Sequence, residues 1–164
     1  MRHENIPSAL FTENRARLKA RLPAGSLAVV NANDIPPTNA DGSTIPTPNS
    51  DLFYLSGIEQ EESILVIAPD ALDEKMREVL FVREPSAHLM TWEGHKHPKS
   101  EVQGISGIRE VKWLTDFPMI LHKLMCEMEH VYLNSNEHTR AAGLTHLNSK
   151  RRYEYYNLYG SYMI

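Results

Sequence analysis

A chain of 164 residues, 41% hydrophobic and 23% charged, can bury a real core as one domain and is too ordinary in composition for a disordered or fibrous protein. A net charge of −4 and a pI near 6.1 argue against a nucleic-acid binder, whose surface is basic; only "KRRY" near the C-terminus is locally so. The opening "MRHENIPSALFTENRARL" lacks a signal peptide's apolar run, no stretch approaches the roughly 20 apolar residues of a membrane span, and the single cysteine, Cys126, can make neither an internal disulfide nor a thiolate zinc site, so the expectation is a cytoplasmic protein with no membrane partner.

The first predicted element is a helix over residues 9–21. Phe11, Arg15, Leu18 and Leu22 recur at helical spacing, and Pro23 and Gly25 stop it. "SLAVVNA" (26–32) is a short continuous apolar run and reads as a buried strand. Residues 33–50 hold four prolines among Asn, Asp, Ser and Thr and read as a long loop. "DLFYLSG" and "SILVIAP" are then expected as two strands joined by a turn containing Glu59, Glu61 and Glu62. "EVLFVRE" (78–84), "VKWL" (111–114) and "HVYLN" (130–134) follow as strands. A helix lies between the last two: Thr115 or Asp116 caps it, Pro118 fits its first turn, and Phe117, Leu121, Leu124 and Met128 share a face, with Met125 and Cys126 packing nearby. The chain divides into a domain over 1–135 and a tyrosine-rich C-terminal segment over 136–164. Helices interleaved with roughly six strands give an α/β domain, its mixed sheet flanked by helices.

Three regions could carry chemistry. The glutamate cluster has the composition of a solvated turn, because a catalytic pair needs burial or a close like charge to separate two pKa values. "HLMTWEGHKH" brings His88, Glu93, His95 and His97 together in sequence. The helical pattern H-E-x-x-H is missing, and Gly94 and Pro98 bracket the last two histidines, so an exposed loop is expected and no metal site is assigned. "GISGIRE" (104–110) lacks a phosphate-loop pattern and reads as a turn before a strand. With no G-x-S-x-G, Walker A sequence or G-x-G-x-x-G, no catalytic residue is assigned.

The run "NSDLFYLSGIEQEESILVIAP", followed by "EVLFVRE" and "HLMTWEG", resembles the N-terminal domain of aminopeptidase P (Xaa-Pro aminopeptidase), of the creatinase/prolidase N-terminal domain family. The matching residues are Asn49, Ser50, Asp51, Phe53, Tyr54, Ser56 and Gly57, then Arg83, Trp92 and Gly94. "RARLKARLPAGSLAVV" is similar to that family's first helix and strand, and the likeness covers about residues 9–134. Two departures stand out: the family's W-x-G-x-R-x-G is "WEGHKHP" here, and its E-P is Glu59-Gln60.

The resemblance implies a mixed sheet of RNase-H-like topology. It also implies that the chemistry belongs to a separate C-terminal domain, missing here, with two metal ions, usually manganese, on two aspartates, one histidine and two glutamates. A metal-bridging water there attacks the Xaa-Pro bond. The implied partners are that catalytic domain, further copies of the chain in a homo-oligomer, and peptides with proline in second position. The resemblance assigns substrate-cleft or subunit contacts to Asp41, Phe53 and His95. Two alternatives stay open: a stand-alone peptide-binding module of the same fold, and a small hydrolase using the histidine region.

Overall fold

The structure, a computed structural model, describes residues 6–33, 47–86 and 94–134. Its centre is a five-stranded mixed sheet, ordered β4-β3-β2-β1-β5. The strands are β1 (Ser26–Asn31), β2 (Ile64–Ile67), β3 (Glu78–Val82), β4 (Glu110–Trp113) and β5 (His130–Leu133). β1, β2 and β3 form an antiparallel meander, β5 joins the β1 edge in parallel, and β4 joins β3 in parallel. Four α-helices, α1 (Ser8–Lys19), α2 (Ser50–Ser56), α3 (Lys99–Ser106) and α4 (Phe117–Glu127), and two single-turn 3₁₀ helices, Glu74–Met76 and Leu114–Asp116, complete the described residues. None is long and apolar enough to cross a membrane.

Both faces of the meander are covered, which is why its strands read as unbroken apolar runs. Alternate residues point to opposite faces. Ala28, Val30, Leu65, Ile67, Leu80, Val82 and Val111 meet Leu52 and Leu55 of α2, Val102 of α3, and Ile58 and Ile108 just beyond them. On the other face, Phe81 meets Phe117 of α4 edge-to-face at 5.2 Å, and Leu121 and Leu124 are buried behind it.

"DLFYLSG" is helix α2, not a strand. Asn49 caps it, its Oδ1 accepting from the N–H groups of Asp51 and Leu52 at 3.0 Å each, and Gly57 ends it at φ 70°. Leu52, Leu55 and Ser56 are buried at i, i+3 and i+4, a helical spacing. Seven residues leave too little sequence for that period to outweigh the β-forming aromatics. α3 occupies part of "GISGIRE", expected to be only a turn.

The two helices end alike. In Ser56-Gly57-Ile58 the serine hydroxyl donates to Leu52 O at 2.7 Å and accepts from Ile58 N at 3.2 Å; in Ser106-Gly107-Ile108 it donates to Val102 O at 2.7 Å and accepts from Ile108 N at 3.1 Å. Both glycines have φ 70° and lie against α1, where a Cβ on Gly57 would sit 2.4 Å from the Phe11 ring and one on Gly107 2.9 Å from Thr12 Oγ1.

Arg15 of α1 joins these ends. Fully buried, its Nη1 donates to Leu55 O at 2.8 Å and Ser106 O at 2.9 Å. Carbonyls at helix C-termini carry partial negative charge, so a guanidinium is a favourable partner. Arg15 Nε also pairs with Glu78 of β3 at 3.0 Å, and Lys19 Nζ reaches the other Glu78 oxygen at 2.6 Å. Burial pushes the Glu78 pKa up, but Lys19 and Arg15 outweigh it and hold the carboxyl below its usual range. A depressed carboxylate pKa gives stability that is present above the unfolded-state pKa and lost as pH falls through the folded one. Glu78→Gln should therefore lower stability at neutral pH, and its deficit against the parent chain should shrink on acidification, as read from urea denaturation between neutral and acidic pH. A deficit independent of pH would contradict that linkage.

Candidate functional site at the carboxyl ends of β3 and β4

Ligands of open α/β sheets bind beyond the carboxyl ends of parallel strands. β3 and β4 are such a pair, with Val82 opposite Trp113. Beyond them lies an open depression of about 440 Å³ lined by Glu62, Arg83, Glu84, Trp113, Leu114 and Thr115. The β2–β3 register pairs Ile64 with Phe81, so extending it by two rungs sets Glu62 against Arg83. They form an ion pair, Arg83 Nε to Glu62 Oε2, at 3.1 Å. Glu62 adopts φ 58°, a left-handed conformation that costs a non-glycine residue about 1–2 kcal/mol. Lys99, at the start of α3, holds its ammonium 4.3 Å above the Trp113 ring.

The glutamate segment is not the solvated turn expected of it. Glu59 is exposed, but Gln60 and Glu61 are buried at 6% and 7% exposure. Glu61 makes a salt bridge to the buried Lys96, and Arg83 Nη1 lies 3.9 Å from the same carboxylate. The burial of Gln60 and Glu61 comes from the segment before α3, which sequence spacing could not place there. Glu61 is committed to cations and supplies no free acid–base group.

Lys96 lies between His95 and His97. In an extended segment neighbours point to opposite sides, so the inward Lys96 leaves both histidines on the other side, where His95 is exposed and His97 half-buried. They meet Glu101, in the first turn of α3: His95 Nε2 is 3.0 Å from Oε2, and His97 Nδ1 is 3.1 Å from Oε1. The two rings lie 5.2 Å apart, nearly perpendicular. Foremost the His95 hydrogen bond, against the opposing effect of burial and with help from the nearby His97 ring, holds the Glu101 carboxyl below its usual range.

Of the three residues expected at the cleft or subunit contact, Phe53 is half-buried on α2, edge-to-face with Phe11 at 6.1 Å, while its neighbour Tyr54 is 52% exposed. His95 is exposed and sits in the polar network just described. Asp41, His88, Trp92, Glu93 and the segment 136–164 lie outside the described residues. Sequence reasoning missed Glu61, Lys96, Glu101 and Trp113. The available signal was the alternation His-Lys-His followed by a glutamate four residues after the second histidine, one helical turn away.

The family model for the aminopeptidase P N-terminal domain matches residues 11–132. The chain is 27% identical over 150 residues to intermediate cleaving peptidase 55 of Saccharomyces cerevisiae, a match covering 88% of this chain and 29% of that protein. Among solved structures it is similar to Pseudomonas aeruginosa aminopeptidase PepP (TM-score 0.74, 22% identity, 96% of this chain and 34% of that one). It is also similar to Escherichia coli aminopeptidase P with the inhibitor Pro-Leu (TM-score 0.71, 23% identity, 91% and 34%). The chain thus spans about a third of the length of these relatives. The solved structures share its fold of a mixed sheet flanked by helices, and the family model covers most of its length. The chain belongs to the aminopeptidase P N-terminal domain family.

Proposed function

We propose that this chain is the non-catalytic N-terminal domain of a metal-dependent Xaa-Pro aminopeptidase, an enzyme that removes the residue preceding an N-terminal proline bond. The observation that carries this reading is the family match over residues 11–132, in a chain about a third as long as its relatives. In this reading the domain covers residues 1–135, and residues 136–164 lead to a catalytic domain that holds two manganese ions. Among the described residues, the one cluster of three close metal-ligating side chains is His95, His97 and Glu101, which lacks the aspartates and second glutamate of a dinuclear centre. The described residues therefore do not fit that centre, and no step of hydrolysis is assigned to them.

The domain's work is to bound the cleft and to take part in subunit association within a cytoplasmic homo-oligomer. Asp41, Phe53 and His95 are its proposed contacts with the cleft or a neighbouring subunit. Tyr54, exposed beside the half-buried Phe53, gives that part of α2 an aromatic surface suited to such a contact.

The test compares the 164-residue chain with the product of its gene extended past Ile164, on peptides with proline in second position, with and without manganese. Turnover by the longer protein alone is expected. Hydrolysis by the 164-residue chain would overturn the non-catalytic assignment. Inactivity of both, with peptide binding retained by the short chain, would favour a stand-alone binding module.

A further inference from the structure

We propose that His95, His97 and Glu101 form a site for one divalent transition-metal ion, with zinc as the best fit, which clips the segment before α3 to the first turn of that helix. The proposal rests on local geometry and not on the reading of the chain as part of an aminopeptidase.

The ligand atoms are already gathered. One ring nitrogen each of His95 and His97 and one Glu101 carboxylate oxygen lie within 4.8 Å of one another. Around a tetrahedral ion with bonds near 2.1 Å, ligand atoms sit about 3.4 Å apart. The His–Glu separations, 3.0 Å to Oε2 and 3.1 Å to Oε1 of the one carboxylate, are close to that. The His95 side chain, 63% exposed, is free of packing that would prevent the small swing needed to close the set.

The segment is also held in register. Lys96 anchors it inward on Glu61, and the backbone N–H of His97 donates to Gln60 Oε1 at 2.9 Å. Neither anchor uses a histidine ring. They fix which way both rings face, as supporting contacts do for metal ligands.

His97 supplies a second, independent observation. Its Nδ1 is buried from solvent and makes no hydrogen bond; Glu101 Oε1 is 3.1 Å away but not in hydrogen-bonding alignment. A buried ring nitrogen in that state is costly, and a cation between it and the carboxylate would satisfy both.

Ligand chemistry sets the class of ion. Two imidazoles and one carboxylate suit zinc and its neighbours, whereas magnesium and calcium prefer all-oxygen shells. Three protein ligands leave a fourth position for water, and the exposed side of His95 opens it to solvent.

The competing thiol–imidazole pair is His122 and Cys126 on α4, whose Nε2 and Sγ lie 4.0 Å apart. The test is isothermal titration of the tag-free chain with zinc chloride and, separately, magnesium chloride. His97→Ala, Glu101→Gln and His122→Ala are run beside it, each checked for folding by circular dichroism. One equivalent of zinc at micromolar affinity is expected, with no comparable magnesium binding. Each of the first two substitutions should weaken zinc binding tenfold or more, and His122→Ala should leave it unchanged. Long-range proton–nitrogen spectra should show zinc on Nε2 of His95 and Nδ1 of His97. Zinc binding untouched by His97→Ala and Glu101→Gln, loss with His122→Ala, or no saturable binding below millimolar zinc would each overturn the proposal. Hydrolysis is not measured, so failure here leaves the aminopeptidase reading intact, and the reverse also holds.

Discussion

Replacing Arg15 with methionine should cost the domain about 3–5 kcal/mol, the usual penalty for removing one partner of a buried charged network. Methionine fills much of the same space, so the loss would be polar. Leu55 O and Ser106 O would lose the donor they share, at 2.8 and 2.9 Å, where little water can replace it. Glu78 would keep Lys19 but lose the guanidinium. α1 would then be held on α2 and α3 by Phe11, by the buried Asn14, whose Nδ2 donates to Tyr54 O at 2.9 Å, and by the glycine contacts. Arg17→Met is the control. Arg17 lies two residues on, exposed, paired with the similarly exposed Glu13 and interacting with Tyr54, and such surface pairs contribute little. Urea denaturation of the two variants should separate them by several-fold in lost stability. Equal, small losses would mean that the helix ends satisfy their carbonyls without Arg15.

Lys96→Met should have the second largest effect, about 2–4 kcal/mol. It strips the buried Glu61 of its nearest cation and leaves Arg83 Nη1 at 3.9 Å as a weaker partner. Adding Glu61→Leu should recover more than half of the loss, because the cost lies in the unpaired charge and not in the missing contact. A Lys96→Met variant as stable as the parent would show that water reaches Glu61 freely. A double variant worse than Lys96→Met would show that the carboxylate does structural work beyond this pair.

The family and much of the fold were legible in the sequence. All five strands were visible as apolar runs, and α4 as a stripe through Phe117, Leu121 and Leu124, although the Asp116 side chain makes no capping hydrogen bond. These signals are local, set by the alternation of a strand or the period of a helix. The strand expected at residues 51–57 failed because a seven-residue helix shows barely two turns, and its evidence lies in the Asn49 cap and the Gly57 stop. The site was harder. Glu61 looked like a turn residue, and nothing local says that Lys96, 35 positions later, is buried against it. Arg15 fell on the apolar face of α1 by spacing, yet its partners at positions 55, 78 and 106 were beyond any local pattern.

The convergence of two helix ends on Arg15 also bears on how the chain is made. α1 leaves the ribosome ahead of the elements it packs on, and the carbonyls its guanidinium needs arrive 40 and 91 residues later. β1 likewise waits for its parallel partner β5, which ends at Leu133. A helix made ahead of its partners is thus among the last elements to be completed, and contacts of such separation make for slow, all-or-none closure. A nascent chain stalled short of residue 106 would carry a helix with a charge on its apolar face and no partner for it, a species that chaperones and proteases recognise.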